Sequence, residues 1–288
     1  MDLEIKPDER VDRAVRRLVR AQLKDAIRAA RDRGQSSDER VHNVRTRLKR
    51  SRAAIALVAP RAGSDAKRED RRLRRAGRQL AKLRDLAVQA RTFLELGAKS
   101  SADVPRELAA KLRYVGARLG AELPPEKVER ALAHSTRRLK RLRRKLPRWS
   151  VPHGRRAASD GLTTTYRQAR RALAAAVETP NPKRFHDLRK RVKALSYELR
   201  MLEGRLRGLH SLSATKVEKL ADLLGDLHDL DVAYATVARH PSWFDNDASA
   251  ALALVDQRRK RLENEVLALA RPIFAARTRD LRARLALD

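Results

Sequence analysis

Residues 41–58 read VHNVRTRLKRSRAAIALV, and this stretch decides the fold class. Val41, Val44, Leu48, Ile55 and Val58 recur at spacings of three, four and seven. A helix advances 100° per residue, so they form one apolar stripe. His42, Arg45, Lys49 and Arg52 lie beside that stripe within an arc of about 80°. The segment contains no acid. Solvated helix faces normally mix Glu with Lys four residues apart, and an uncompensated row of like charges opposes folding. The stretch therefore predicts a helix with one face for a core and another for an anionic ligand.

Outward from it, the strong helix formers Ala, Leu, Arg and Glu dominate. Gly and Pro, 11 of each, gather at a few places that read as helix ends. Helices are expected near 8–33, 37–59, 65–97, 103–146 (broken at Pro124-Pro125), 155–178, 182–206, 213–239 and 247–286. Two of the breaks are expected at Pro60 to Ser64 and at Pro147 to Gly154. No segment alternates with period two over several strands. The predicted class is all-α.

The chain also resembles itself. A shift of 144 residues carries His42, Arg45, Arg47 and Lys49 onto His186, Arg189, Arg191 and Lys193. The same shift carries Leu80, Leu83, Asp85, Leu86 and Val88 onto Leu224, Leu227, Asp229, Leu230 and Val232. In both copies the His precedes the Asp by 43 residues. The second copy has its own cationic face in His186, Arg189, Lys190, Lys193 and Tyr197. Its apolar stripe is Phe185, Leu188, Val192, Leu195, Leu199 and Leu202. The expectation is a single domain of two four-helix repeats, about 1–147 and 152–288, related by a pseudo-two-fold axis.

Of 288 residues, 68 are Lys or Arg and 36 are Asp or Glu, a formal charge of +32. Such a surface repels itself and calls for a polyanionic partner. The absence of cysteine excludes disulfides, thiolate metal sites and a Cys nucleophile. MDLEIKPDER carries no apolar signal segment. The longest apolar run, Ala53 to Ala59, is seven residues, against about 20 for a membrane span. A cytoplasmic protein that does not enter membranes is expected. Aromatic residues are only 3% of the chain, too few for the stacking platforms of a single-strand binder.

The motif His42-x-x-Arg45, then Lys49 and Arg52, followed by Leu83-Arg84-Asp85-Leu86-Ala87-Val88, resembles the CHAD domain (conserved histidine α-helical domain). The second half resembles it more closely. Tyr166-Arg167-Gln168-Ala169-Arg170-Arg171 comes first, then Phe185-His186-Asp187-Leu188-Arg189-Lys190-Arg191-Val192-Lys193, Tyr197, and Leu223-Leu224-Gly225-Asp226-Leu227-His228-Asp229-Leu230-Asp231. The resemblance covers nearly the whole chain. It implies a helical bundle around a basic central channel that binds inorganic polyphosphate, with no cofactor and no metal. Expected contacts are His42, Arg45, Lys49 and Arg52 in one half, and His186, Arg189, Lys190, Lys193 and Tyr197 in the other. Arg17 and Arg20, with Tyr166, Arg167 and Arg170, join them from the first helix of each repeat. Ser51 replaces a bulky apolar residue, and Ala53 stands where the second copy has Tyr197, so the first half is expected to bind less tightly. Location on polyphosphate granules follows as an expectation.

The residue types suit that ligand independently. Polyphosphate is a flexible run of anions without bases, so it needs no base-edge readout. Arg offers a planar fork to two phosphate oxygens, and Lys a mobile point charge. Asp85 and Asp229 are read as ion-pair partners that orient an Arg or the His of the preceding helix. The clusters Arg71 to Arg78 and Arg137 to Arg144 read mainly as solubility and long-range attraction. His134, His153, His210 and His240 lack repeat partners of the same type and read as ordinary surface or core residues.

Two other classes compete. His186-Asp187 and His228-Asp229 suggest a metal-dependent phosphohydrolase, but Asn43 follows His42 and Arg84 stands opposite His228. A two-metal site also wants clustered carboxylates rather than cations. No P-loop and no paired nucleophile appear, so the protein is expected not to be an enzyme. A phosphate-backbone nucleic-acid binder fits the charge equally, although no helix-turn-helix, finger or zipper signature is present. One monomer suffices to close a channel.

Overall fold

The structure is a computed structural model that describes residues 3–6, 8–98, 104–145, 156–206 and 212–284. Among these every regular element is helical. In order they are α1 (Val11–Ala29), α2 (Ser37–Ala98), α3 (Arg106–Ala121), α4 (Pro125–Lys145) and α5 (Arg156–Glu178). Then come α6 (Pro182–Met201), α7 (Ala214–Arg239), α8 (Ala248–Ile273) and α9 (Thr278–Arg284). The all-α expectation is met. The break expected at Pro147 to Gly154 lies outside the described residues, as do His153 and His210.

α2 begins on a capping box. Glu39 N donates to Ser36 Oγ at 3.3 Å, and the Glu39 carboxylate accepts from Ser36 N at 2.9 Å, which satisfies two otherwise orphaned donors. The break expected at Pro60 to Ser64 is a bend, and the helix runs on through Pro60. It bends at Gly63, whose φ of 53° and ψ of −122° only glycine tolerates without strain. α2 thus has an N-terminal arm, 37–62, and a C-terminal arm, 64–98.

Two other boundaries differ from expectation. The helix drawn over 247–286 stops at Ile273 and restarts at Thr278. Pro272 cannot donate to the preceding turn, and Phe274 turns inward to lie 5.4 Å from the ring of Tyr166. The helix drawn to 206 stops at Met201 because the N-terminal segment binds there. Ile5 N donates to Met201 O at 2.7 Å, and the Arg205 guanidinium donates to Lys6 O and Glu9 O.

Two apolar clusters form the core. The larger joins α1, α4, α5 and α6 to the N-terminal arm of α2 and the first half of its C-terminal arm, with the start of α7 and the end of α8. The smaller joins Ala90, Phe93 and Leu96 to α3, the end of α7 and the start of α8. The stripe read over 41–58 is buried as expected, with Val44 and Val58 fully inaccessible. α5 crosses the N-terminal arm of α2 so closely that a Cβ on Gly161 would lie 2.0 Å from Leu57 O. That approach carries the α5–α6 hairpin against the arm and brings α6 into contact with α2.

Candidate anion-binding site

The N-terminal arm of α2 and helix α6 bury their apolar stripes in one core, so their cationic faces meet at the contact. Lys49 shows the result. Burial first, then Arg45, Arg189 and Lys193, bring its ammonium down to about 8, with Asp85 opposing. Arg45 is lowered mainly by burial, opposed by Asp85 and reinforced by Arg84 and Arg189. Four cations from the two helices therefore share one neighbourhood.

The carboxylates nearby compensate weakly. Asp85 stands 3.8 Å from Arg45 and is 73% exposed; Asp222 stands 3.2 Å from Lys193 and is 67% exposed. Ion pairs as open to water as these contribute little, about 0–1 kcal/mol. Asp229 has no ion-pair partner among the described residues, so the orienting pair expected of it is not formed. Burial instead raises its carboxyl to about 6, with Arg189 opposing and Asp226 adding to the rise.

α7 supplies residues beyond those the sequence put in the site. The His228 ring lies 4.3 Å from that of His186, centroid to centroid. Burial, then His186, Arg189 and Lys190, push His228 down to about 4. His186 is lowered by burial, Lys190 and Arg189, with Asp187 and Asp85 opposing. The Arg189 guanidinium passes over Gly225, where a Cβ would come within 3.7 Å of it. Arg189 Nε and His186 Nδ1 are buried without a hydrogen-bond partner. Buried polar atoms left unpaired are costly; Arg189 Nε is a donor that an oxyanion would satisfy, and His186 Nδ1 becomes one when it carries the proton.

Of the predicted contacts, Arg45, Lys49, His186, Arg189, Lys190 and Lys193 come together. His42 stands at the exposed rim, where partial burial and then Arg84 and Lys49 lower its pKa. Tyr197 is buried and offers its ring to Arg50 at 5.8 Å and Lys193 at 5.6 Å. Others sit elsewhere. Arg52 binds Asp70 at 2.6 Å, across the bend of α2. Arg17 binds Glu9 at 2.6 Å and donates to Glu4 O. Tyr166 is 1% exposed and donates to Ala276 O at 3.0 Å, a core residue capping the turn after α8. Arg20, Arg167 and Arg170 project from the exposed faces of α1 and α5.

Arg84, Arg91 and His228 act on the cluster although the sequence reading left them out. A signal was present: the 144-residue shift places Arg84 on His228. No group of three or more His, Asp or Glu suited to a metal occurs among the described residues.

An all-helical bundle in which two cationic helix faces meet at an internal contact is the class that fold and site define. The sequence profile of the CHAD domain matches residues 13–238, and the chain belongs to the CHAD family. Its structure is similar to the crystal structure of the CHAD domain from the plant Ricinus communis, with a TM-score of 0.68, 17% identity and 96% of each chain covered. At that identity the likeness shows the fold alone. No curated protein matches the chain. No described helix is long and apolar enough to cross a membrane.

Proposed function

We propose that the protein binds inorganic polyphosphate at the α2–α6 contact and does not turn it over. The observation that carries this reading is the convergence of Arg45, Lys49, Arg189 and Lys193, with the buried Arg189 Nε donor left without a partner. Packing these cations together costs free energy in the free protein. A ligand with closely spaced anions and no bases recovers it at every step of its chain. Arg forks and Lys ammonium groups match phosphate oxygens in a way that carboxylate pairs would not. Membership of the CHAD family supports the same ligand. The two-repeat organisation is part of the proposal, supported by the equivalent places of the N-terminal arm of α2 and α6 on either side of the contact. The reading of no turnover is supported by Lys190 and Arg189, which outweigh Asp187 and Asp85 beside the histidine pair, where a two-metal hydrolase would need clustered carboxylates.

A competition titration tests it. Labelled long-chain polyphosphate is challenged with unlabelled polyphosphate, duplex DNA and single-stranded RNA at matched phosphate, across a salt series. Only polyphosphate is expected to displace the label near physiological salt; equal displacement by DNA or RNA would make the surface a general phosphate-backbone binder. In the same assay, Arg189→Glu with Lys193→Glu is expected to weaken binding at least about tenfold, or about 1.4 kcal/mol. Arg143→Glu with Arg144→Glu, the same change in net charge, should cost much less. Equal losses would mean that net charge alone governs binding. In cells that make polyphosphate granules, tagged protein is expected on the granules, and a diffuse signal would count against that location.

A further inference from the structure

α4 runs antiparallel along the C-terminal arm of α2, and the seam between them is a groove. Arg130, His134, Arg137 and Arg141 follow one another down a single face of α4. Arg75 and Lys82 face them from the arm of α2. The groove consists of two hollows of about 560 and 480 Å³ that share His134 and Arg137, so it is continuous. From Lys127 to Lys145 it extends about 27 Å at 1.5 Å per residue. Its floor is aliphatic, with Leu83, Ala131 and Leu142 all buried.

No carboxylate lines either hollow. Elsewhere the chain neutralises its arginines locally, as Arg74 with Asp70 and Arg91 with Glu95. Two acids on these helices are engaged elsewhere or at the edge: Glu129 holds Arg40 of the N-terminal arm, and Glu69 holds Arg68 and Arg72. Arg75, Arg130, Arg137 and Arg141 have no carboxylate partner among the described residues. Arg72, which also lines the groove, is paired with Glu69; the other arginines facing one another across it carry no counter-charge from the described residues.

We propose that this groove is a second anion-binding track, separate from the α2–α6 cluster, that takes a linear phosphate chain. Arg forks dominate its walls and suit phosphate oxygens. No Phe, Tyr or Trp lines it, so it lacks the aromatic platforms on which successive bases stack. Packed helices lie about 8–10 Å apart, a seam that admits a thin chain along its length and leaves a duplex touching only the rim. The ligand class rests on the phosphate reading of the central cluster, whereas the groove and its charge do not.

Arginine modification by phenylglyoxal, mapped by mass spectrometry on the full chain, tests this. Tripolyphosphate is expected to slow modification of Arg75, Arg137 and Arg141 severalfold, while the exposed Arg239 reacts at an unchanged rate. The protection should persist in the Arg189→Glu, Lys193→Glu protein. The proposal is overturned if the groove arginines react equally with and without tripolyphosphate. Loss of their protection in the double variant overturns it too, as does equal protection by single-stranded RNA or polyglutamate at matched charge. Failure of the central reading has a different signature: Arg45 and Arg189 remain unprotected while the groove arginines are shielded.

Discussion

Burial and crowding by other cations hold Lys49 near 8 and His228 near 4, and burial holds Asp229 near 6. A polyanion in the cluster reverses the crowding on all three, because phosphate favours the protonated form of each group. Binding should therefore take up protons, and affinity should rise as pH falls from 9 to 5. Calorimetry in buffers of different ionisation heat is expected to show net proton uptake at pH 6. His186→Asn with His228→Asn should remove most of it; uptake unchanged in that variant would sink the role of the histidine pair. Folding stability reports the same groups poorly. His228, lowered from 6.5, binds more protons in the unfolded chain, so acidification between about 6.5 and 4 destabilises. Asp229, raised from 3.8, binds more protons in the folded chain, so acidification between about 6 and 3.8 stabilises. The two offset, and binding is the better reporter. At this scale the sequence was legible where one helix face recurred. It was not legible where an amphipathic side chain has two homes: Tyr166 matched the motif, yet its ring belongs to the core and its hydroxyl to a backbone carbonyl.

The two arms of α2 could be read as helices over 37–59 and 65–97, because apolar residues recur at helical spacing on each side of the bend. The bend could be placed within Pro60 to Ser64, but not at its residue. Pro60 signals a break strongly, but the chain turns at Gly63, where the required φ is positive. The end of α8 was hidden for a related reason: Pro272 interrupts the hydrogen bonding, yet the register of apolar residues runs on to Leu281. Gly161 decides how the two halves of the site are set against each other. Gly161→Val places carbon atoms where Leu57 O lies, and is expected to cost at least about 1–3 kcal/mol as overpacking. Polyphosphate affinity should fall with it, because α5 carries α6. Gly120→Ala in α3 meets nothing within 4 Å, and is expected to stabilise by about 0.5–1 kcal/mol with binding unchanged. Thermal melts paired with binding titrations check both. A Gly161→Val protein with full stability would show that the close crossing is not required.

Over the whole molecule, a charge of +32 makes the free protein repel itself. Salt then acts with opposite signs on two observables. Moderate salt screens the repulsion and should raise the melting temperature of the free protein. The same salt weakens phosphate binding, with a slope that counts the phosphates engaged, so the further rise produced by polyphosphate should shrink. Thermal scans over a salt series, with and without polyphosphate, should give converging curves. Parallel curves would mean that the ligand acts other than by neutralising charge.

The segment ahead of α1 has a consequence for how the chain is made. Ile5 is fully buried, and its backbone docks on Met201 while Arg205 clasps Lys6 and Glu9. The docking site is synthesised about two hundred residues later, which at 5–20 residues per second is a delay of about 10–40 s. Throughout that interval Ile5 is an unsatisfied apolar residue on a nascent chain. Severing the protein between its halves would leave it so permanently, because clasp and anchor would sit on different pieces.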